Sequence, residues 1–266
     1  MPELPEVETI ARSLRNRTAN VFNPDQSLND RPGVIGRQID SVSVNWARSI
    51  ATPNAEEFSL RLRGQTFREV ERRGKFLVFE LDQDWLLLHL RMSGDVRVEA
   101  QDFPNLAHDR VVFNFNDGSR LVFNDPRKFG RVWLVNDPQL VLGNLGPEPL
   151  SDDLTGEKFY MELQRHKTRI KSLLLDQHFL AGLGNIYSDE ALHLAKIHPL
   201  QAANKITPEG AERLLGAIRA VMKEGIQRNG ASIDWVYRGG DFQNHFRVYQ
   251  RTGAACPVCG TKIERI

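Results

Sequence analysis

Hydrophobic and polar positions follow two different periods along the chain. Val7, Ile10 and Leu14 recur at helical spacing, which predicts a short amphipathic helix from about Val7 to Arg15. Runs rich in Val, Phe, Leu and Trp follow, and the Asp-Gly pair within Asn116 to Ser119 is a strong hairpin signal. The first half therefore predicts an antiparallel β-sandwich or barrel with one leading helix. The apolar runs are Phe76 to Leu81, Trp85 to Leu90, Val111 to Phe115 and Leu121 to Phe123.

The second half has the period of helices. The change follows Gly146 to Pro149, whose two prolines indicate a domain boundary. The longest predicted helix runs from Pro208 to Asn229, with Thr207 as its N-cap and Gly230 at its end. The helical pattern stops at Ala231. Other helices are predicted near Gly156 to Arg165, Arg169 to Asp176 and Asn185 to Ala195.

Composition narrows the class of protein. The 266 residues are 41% hydrophobic and 26% charged, as in ordinary globular proteins, and the net charge is only +1. A surface that binds nucleic acid must therefore be local. The chain has no apolar run of membrane-spanning length and its start is not that of a signal peptide, so we expect a cytoplasmic protein without a membrane partner. From Asn20 to Gly36, Asn, Pro, Asp, Gly and Ser predict a polar, disordered loop or insertion.

The N-terminus offers a nucleophile. Pro2 permits removal of Met1 and would then present a secondary amine, a class of group whose reference pKa of about 7.7 to 8.0 leaves a neutral fraction near neutral pH. Its attack on the anomeric carbon of a nucleoside would expel the base, and the resulting iminium permits strand cleavage by elimination. Glu3 could protonate the opening sugar, and Glu6 could hold the sugar or favour the neutral amine. The alternative is a frayed acidic terminus, which is commoner for such a sequence.

Three further segments each have a structural and a functional interpretation. Arg72 to Phe76 is either a charged strand edge or a means of placing Lys75 beside a phosphate or a leaving group. His89 to Gly94 and Asp125 to Gly130 are either ordinary turns or loops whose Met, Arg and Phe fill the stack vacated by an extruded nucleotide. The residues alone leave both interpretations open.

Glycines precede the predicted helix at Asn185. Gly182 to Tyr187 is either a tight turn between helices or a site where backbone amides approach a phosphate. Basic residues upstream of it form either a solvated helix face or further phosphate contacts. They are Arg165, Lys167, Arg169 and Lys171.

The two cysteines have the spacing of a zinc knuckle. Cys256 and Cys259 exclude a disulfide framework, but a structural zinc needs four ligands, and the chain reaches Ile266 without another Cys pair or a suitable His cluster. The site is therefore an incomplete half-site. A redox pair is the alternative, although no thioredoxin-like pattern surrounds it.

Taken together, these motifs resemble the formamidopyrimidine-DNA glycosylase family, in the family's order and over nearly the whole chain. The resemblance implies an α+β protein: a catalytic β-sandwich with a leading helix over residues 1–146, a helix-two-turn-helix domain over 151–230, and a lesion-side loop with a truncated zinc finger over 231–266. The motifs are Met1 to Thr9, Gly74 to Phe76, His89 to Gly94, Asp125 to Gly130, Leu145 to Pro149, Gly184 to Tyr187 and Cys256 to Cys259.

The resemblance also implies a function. It indicates a bacterial, monomeric base-excision-repair enzyme that removes oxidised purines such as 8-oxoguanine and formamidopyrimidines from double-stranded DNA, then nicks the strand by β,δ-elimination. Pro2 matches the Schiff-base nucleophile, Glu3 the proton donor and Lys75 the lysine that assists elimination. Met92, Arg127 and Phe129 match the residues inserted into the DNA stack. The residues that match the family's contacts to phosphates or the DNA backbone are His89, His108 and Asn185. A further contact is made by Lys or Arg in the family, and this chain has His166 at that position.

The sequence departs from the family pattern at its end. The second Cys-x-x-Cys of the zinc finger, and an arginine that assists δ-elimination, would lie beyond Ile266. Either the sequence is truncated or the finger has lost its second strand. Two other functions compete with the main one. The endonuclease VIII group shares the proline chemistry but prefers oxidised pyrimidines, and Leu4 and Val7 to Thr9 favour the purine branch; a DNA-binding protein without catalysis is the second alternative.

Overall fold

A computed structural model describes residues 1–15, 33–232 and 240–266. Most of the predicted loop from Asn20 to Gly36 therefore lies outside the described residues. The chain forms two compact units. The first unit comprises Met1–Pro2, Glu6–Gly143 and Ser232–Gly239, and the second comprises Glu3–Pro5, Asn144–Ala231 and Gly240–Ile266.

The leading helix α1 spans Leu4–Leu14 and begins three residues before its predicted start. Pro5 does not prevent this, because amides of the first helical turn need no partner within the helix. Val7, Ile10 and Leu14 are buried in the core of the first unit, as their spacing predicted.

Among its described residues, the first unit has two β-sheets. One sheet has the strand order β1-β7-β8-β6 and the other β2-β9-β5-β4-β3; β2 pairs with β9 in parallel, and the other pairs are antiparallel. Helix α2 (Ala55–Leu62) lies between β2 and β3 in the chain, and the short helix α3 (Gln139–Leu142) follows β9. The strands are β1 (Ile39–Val44), β2 (Ile50–Thr52), β3 (Glu69–Arg73), β4 (Phe76–Glu80), β5 (Trp85–His89), β6 (Asp95–Ala100), β7 (Asp109–Phe115), β8 (Ser119–Asn124) and β9 (Arg131–Val135).

Phenylalanine rings connect the two sheets through the core. Phe67 is fully buried, and its ring packs edge-on against Phe79 of the five-stranded sheet and Phe113 and Phe115 of the four-stranded sheet, at centroid distances of 5.4, 6.4 and 5.7 Å. Edge-to-face pairs at these distances add favourable electrostatics to the burial of apolar area. The core therefore holds the sheets face to face, and the loops at their ends carry the candidate site residues.

The second unit is helical. Its helices are α4 (Gly156–Gln164), α5 (Ile170–Leu175), α6 (Asn185–Ala195) and α7 (Pro208–Gln227). Two turns, over residues 177–179 and 181–182, join α5 to α6. Thr207 caps α7 by accepting the amide of Gly210 at 3.1 Å, and Gly230 beyond its end has a φ of 78°. The predicted fold class, α+β with an antiparallel sandwich and then a helix-two-turn-helix, is confirmed; a zinc finger is not shown.

No helix among the described residues is both long and apolar enough to cross a membrane.

Candidate functional site

Helix α1 is tied to the turn that carries Lys75. Gly74, with a φ of 57°, turns the chain between β3 and β4 and is followed by Lys75, which is 4% exposed. Arg72 donates from Nη1 to the carbonyl of Gly74 at 3.1 Å and from Nε to Glu8 of α1 at 3.1 Å. These contacts fix the Lys75 turn relative to helix α1. Pro2, which is also buried, shortly precedes that helix in the chain.

Glu8 is negatively charged in this arrangement. Burial by itself would raise the pKa of Glu8, but hydrogen bonds from Arg12 and Arg72 and the charges of Arg72 and Arg15 together outweigh burial and lower it. The sequence marked the Arg72 to Phe76 segment and the Met1 to Thr9 motif but did not predict that Glu8 and Arg72 pair. A polar residue on a short helix gives no local signal that it pairs with a residue 64 positions away.

His89 lies opposite Phe76 across the β4–β5 pairing, with their rings edge-on at 4.7 Å. Burial, together with the positive charges of Arg91 and Lys75, lowers the pKa of His89 to about 3. Its Nδ1 accepts the amide of Arg91 at 3.0 Å, which places the proton on Nε2. His89 can therefore offer a neutral N–H donor and no positive charge.

Two loops of the first unit expose apolar side chains. We call residues 90–94 the Met92 turn and residues 125–130 the Phe129 loop. Met92 is 38% exposed and Phe129 is 50% exposed. The Arg127 guanidinium lies over the Phe129 ring, 5.2 Å from its centroid. Arg91 and Lys128, beside them, have φ values of 54° and 63°, a strained conformation for residues with side chains.

His108 is exposed next to the Phe129 loop. Its carbonyl accepts the amide of Asp125 at 2.9 Å, and its Nδ1 lies 3.2 Å from Nη2 of Arg110. Glu6 is 2% exposed and belongs to the first unit, as do Pro2 and Lys75.

In the second unit, the carboxylate of Glu3 closes the N-terminus of α6. It accepts the amides of Gly184 at 2.6 Å, Ile186 at 3.0 Å and Tyr187 at 3.4 Å. Free amides at a helix start attract an anion, and the helix dipole adds to the attraction. These amides are therefore bonded to Glu3, which corrects the interpretation that this turn presents them to a phosphate.

The glycines of this turn make room for the start of the chain. A Cβ on Gly184 would collide with the Glu3 carboxyl group, and one on Gly182 would collide with the Leu4 side chain. Leu4 also donates its amide to the Gly182 carbonyl at 3.0 Å. Close approach of the N-terminal segment is thus a physical reason for both glycines, and the φ of 95° at Gly182 is a second one there.

Asn185 and His166 also lie in the second unit. Asn185 is the first residue of α6 and its side chain is exposed. His166 follows α4, is half-buried, and packs its ring edge-on against Phe179 at 5.5 Å. Both residues are in the helical unit, with Asn185 at the helix end that Glu3 occupies.

The cysteines form a tight turn. Sγ of Cys256 accepts the amide of Val258 at 3.4 Å, and Gly260 donates its amide to the Cys256 carbonyl at 2.9 Å. Hydrogen bonds from Thr261, and then from Cys256, lower the pKa of the exposed Cys259 thiol. Sequence reasoning missed His193, whose Nε2 lies 3.4 Å from Cys256 Sγ.

These residues do not form a closed zinc site. Among residues 1–15, 33–232 and 240–266, no group of three or more His, Cys, Asp or Glu side chains could hold a metal ion. A structural zinc site needs four ligands, and Cys256 and Cys259 supply two. Two of the ligands of the predicted structural zinc are thus in place, and the zinc itself stays a prediction.

Comparison with known proteins decides the family. Two family models match, the formamidopyrimidine-DNA glycosylase N-terminal domain over residues 25–132 and the formamidopyrimidine-DNA glycosylase H2TH domain over residues 145–236. The chain belongs to the formamidopyrimidine-DNA glycosylase family. Glycosylases of this name from Protochlamydia amoebophila and Chloroflexus aurantiacus are 40% and 42% identical to it, over 100% of this chain and 94% and 92% of theirs.

Solved structures of the family agree. A Lactococcus lactis Fpg in complex with DNA containing N7-benzyl-Fapy-dG is 35% identical, with a TM-score of 0.88 over 100% of this chain and 94% of that one. The same enzyme with DNA containing an abasic site has a TM-score of 0.87 over 99% of this chain. Both structures are complexes with DNA.

The formamidopyrimidine-DNA glycosylase models cover the predicted residues unevenly. The N-terminal model begins at residue 25, so Pro2, Glu3 and Glu6 precede it, and both cysteines follow the H2TH model. The full-length relatives cover all of these positions. The models include Lys75, His89, Met92, His108, Arg127, Phe129, His166 and Asn185.

Proposed function

We propose that this protein, a DNA glycosylase of base excision repair, is bifunctional: it excises oxidised purines through a Schiff base on Pro2 and then cleaves the strand as an AP lyase. The observation that carries the proposal is the fixed carboxylate of Glu3, held by the amides of Gly184, Ile186 and Tyr187 directly after the proposed nucleophile in the chain. Family membership over the full chain supports it.

The chemistry begins once Met1 is removed. The secondary amine of Pro2 attacks C1′ of the damaged nucleotide, and the glycosidic bond breaks with its electron pair leaving on the base. The amine loses its proton as the iminium forms, and Glu3 can carry that proton to O4′ as the sugar ring opens. The base is lost before the strand is cut, so excision and cleavage can be measured separately.

Strand cleavage follows from the iminium. It withdraws electrons from C2′, so a C2′ proton is lost and the C3′–O bond breaks, with the phosphate as leaving group. Loss of a C4′ proton then breaks the C5′–O bond, and water releases Pro2 by hydrolysing the iminium. Lys75 is the proposed aid to these eliminations, since the charge of a lysine can stabilise a departing phosphate. Glu6 is proposed to hold the opened sugar.

The DNA contacts divide between the units. In the first unit we assign a neutral phosphate contact to Nε2 of His89 and a backbone contact to the exposed His108. In the second unit we assign phosphate contacts to Asn185 and His166. Insertion into the DNA stack is assigned to Met92, Arg127 and Phe129. We also propose that the protein is a cytoplasmic monomer that acts on double-stranded DNA.

Zinc is part of the proposal only as a structural ion. Cys256 and Cys259 would supply two of its four ligands, and zinc bound there would brace the loop that carries them. No catalytic step depends on it. Metal analysis of the purified protein by mass spectrometry tests this directly.

The lesion class has a second candidate. One structure of Lactococcus lactis Fpg contains DNA with an oxidised pyrimidine, and others contain Fapy-dG or its benzyl derivative. Oxidised pyrimidines, the preferred lesions of the endonuclease VIII group, therefore belong in the substrate panel beside 8-oxoguanine. Faster single-turnover excision of a pyrimidine lesion than of 8-oxoguanine would replace the purine assignment.

Borohydride trapping on a duplex with one 8-oxoguanine tests the mechanism. We expect a covalent adduct that peptide mass spectrometry places on the N-terminal residue Pro2. Pro2→Gly should excise 8-oxoguanine on the order of ten-fold or more slowly, a loss of about 1.4 kcal/mol or more in transition-state stabilisation. Pro5→Ala, which changes a neighbouring proline but leaves the amine, is the matched control. An adduct on a lysine, or none, would contradict the proposal.

A further inference from the structure

Beneath the Met92 turn and the Phe129 loop lies a buried carboxylate, that of Asp125. Its residue is 0% exposed, whereas Met92 and Phe129 are among the most exposed large apolar side chains of the first unit. Asp125 follows β8 and begins the Phe129 loop. The sequence marked Asp125 only as the first residue of a segment that is either an ordinary turn or a loop that enters the DNA stack, and gave its side chain no role.

Three donors converge on this carboxylate. Ser93 Oγ donates to Oδ1 at 2.5 Å, the amide of Arg127 reaches the same oxygen at 3.2 Å, and the amide of Gly130 donates to Oδ2 at 2.7 Å. Ser93 belongs to the Met92 turn, and it also accepts the Arg127 amide at 3.2 Å. One side chain therefore joins the two loops and closes the Phe129 loop at both ends.

The backbone of Asp125 adds a third segment. Its amide donates to the carbonyl of His108 at 2.9 Å, and its carbonyl accepts Nε of the buried Arg110 at 2.8 Å. The proposed DNA contacts at Met92, His108 and Phe129 are thus connected through a single residue.

The packing below leaves little freedom. Phe123, fully buried on β8, lies so close to Gly94 and Gly130 that a Cβ on either glycine would collide with its ring. Both loops therefore rest on the same aromatic ring. The hydrogen bonds to Asp125 and the contacts with the Phe123 ring together set the separation of the two loops.

We propose that Asp125 is a positioning residue for DNA insertion: its carboxylate holds the Met92 turn and the Phe129 loop in the relative arrangement in which they enter the base stack. This rests on the proposed function, in which both loops enter DNA. Unstacking a base step costs free energy, so side chains that must first become ordered would lose part of the binding energy that is available for it.

A carboxylate suits this position better than an amide. Both oxygens of Asp125 accept hydrogen bonds, whereas Asn would turn an NH₂ group towards at least one of the N–H or O–H donors. A buried donor would then lose its partner. Asp125→Asn therefore keeps the size of the side chain and disturbs the link between the loops.

The test compares two duplexes that carry 8-oxoguanine. In one the lesion pairs with cytosine; in the other it faces a tetrahydrofuran residue, so that no opposite base has to be displaced. We expect Asp125→Asn to slow single-turnover excision on the order of ten-fold on the paired duplex and much less on the second. Fluorescence of 2-aminopurine beside the lesion should show slower unstacking.

The matched control is Asp84→Asn. Asp84 is also a buried carboxylate of the first unit, bonded to Arg61 and Gln65, but it precedes β5 and so lies at the end of that strand away from the Met92 turn. The Asp84→Asn variant should leave the ratio of the two excision rates unchanged, even if the substitution lowers the melting temperature. Ser93→Ala, which removes the bridge but keeps the Gly130 bond, should repeat the Asp125 result if Asp125→Asn fails to fold.

The outcomes separate the two proposals. Equal slowing of Asp125→Asn on both duplexes, or unchanged 2-aminopurine kinetics, would overturn the positioning role. Trapping on an abasic single strand, which needs no insertion into a duplex, should stay at the wild-type level in Asp125→Asn. If the wild-type protein itself forms no trapped adduct on this single strand, the proposed Schiff-base function is wrong.

Discussion

At the scale of single residues, the chemistry of a candidate site residue depends on the burial and the neighbouring charges that the fold gives it. His89 is one case. A histidine at the end of a strand suggests a positively charged side chain that binds a phosphate. Burial and the positive charges of Arg91 and Lys75 instead lower the pKa of His89 and keep its ring neutral. Its contribution to DNA binding should come from one oriented N–H and not from charge.

The salt dependence of binding tests this. We expect His89→Gln to weaken binding to a lesion duplex without changing the slope of log Kd against log salt concentration at pH 7. A charged contact with a phosphate would instead lower the slope by about 0.9, because one fewer counterion would be released. Titrations at several salt concentrations measure the slope, and a decrease of that size would show that His89 is an imidazolium in the complex.

At the scale of elements, helix α6 receives the N-terminal segment. Its three bonds to Glu3 need backbone amides without Cβ crowding, which is why Gly184 precedes it. Local sequence correctly predicted the bounds of α6, Asn185–Ala195, because an apolar period and a preceding glycine turn are local signals. The partner of its amides is 181 residues away and could not be predicted.

A pair of glycine substitutions tests the role of this helix start. Gly184→Ala should displace the Glu3 carboxyl group, lower stability by roughly 1–3 kcal/mol and slow excision, since a buried carboxylate loses its donors. Gly216→Ala in the exposed middle of α7, where a Cβ meets no atom within 4 Å, should instead stabilise by about 0.5–1 kcal/mol. Urea unfolding and single-turnover excision measure both. Wild-type excision by Gly184→Ala would argue against a fixed Glu3.

Other elements escaped the sequence pattern. Strand β3, Glu-Val-Glu-Arg-Arg, has a single apolar residue. Strand β6 is short, begins with a charged residue and has further charged residues between its apolar ones. Both become strands because they pair with more apolar neighbours, β4 and β8. Tertiary pairing overrides a weak local preference in such cases.

At the scale of the whole molecule, buried His89 makes the stability of the fold depend on pH. The unfolded chain has an ordinary histidine pKa near 6.5, above the value of about 3 in the folded protein. Between these values the unfolded state binds more protons, so stability is greatest above pH 6.5 and falls as the pH decreases towards 3. The limiting slope from this group is about 1.4 kcal/mol per pH unit.

Denaturant unfolding at pH 7.5 and pH 5.5 measures this slope. We expect His89→Gln to lose less stability than the wild-type protein between the two values, by up to about 1.4 kcal/mol. At pH 7.5 the two proteins differ only by the packing and hydrogen bonds of the ring. An equal pH dependence in both would mean that His89 is protonated in the folded state.

The sequence by itself determined the local features of this protein: the helical and strand periods, the caps, the order of motifs and, through them, the family. These follow from side chains within a few positions of one another. Only the tertiary structure decided which distant groups meet: Glu3 with the start of α6, Asp125 with Ser93, and Cys256 with His193. The physical reason is that such contacts depend on how whole strands and helices pack, and no local pattern records that packing.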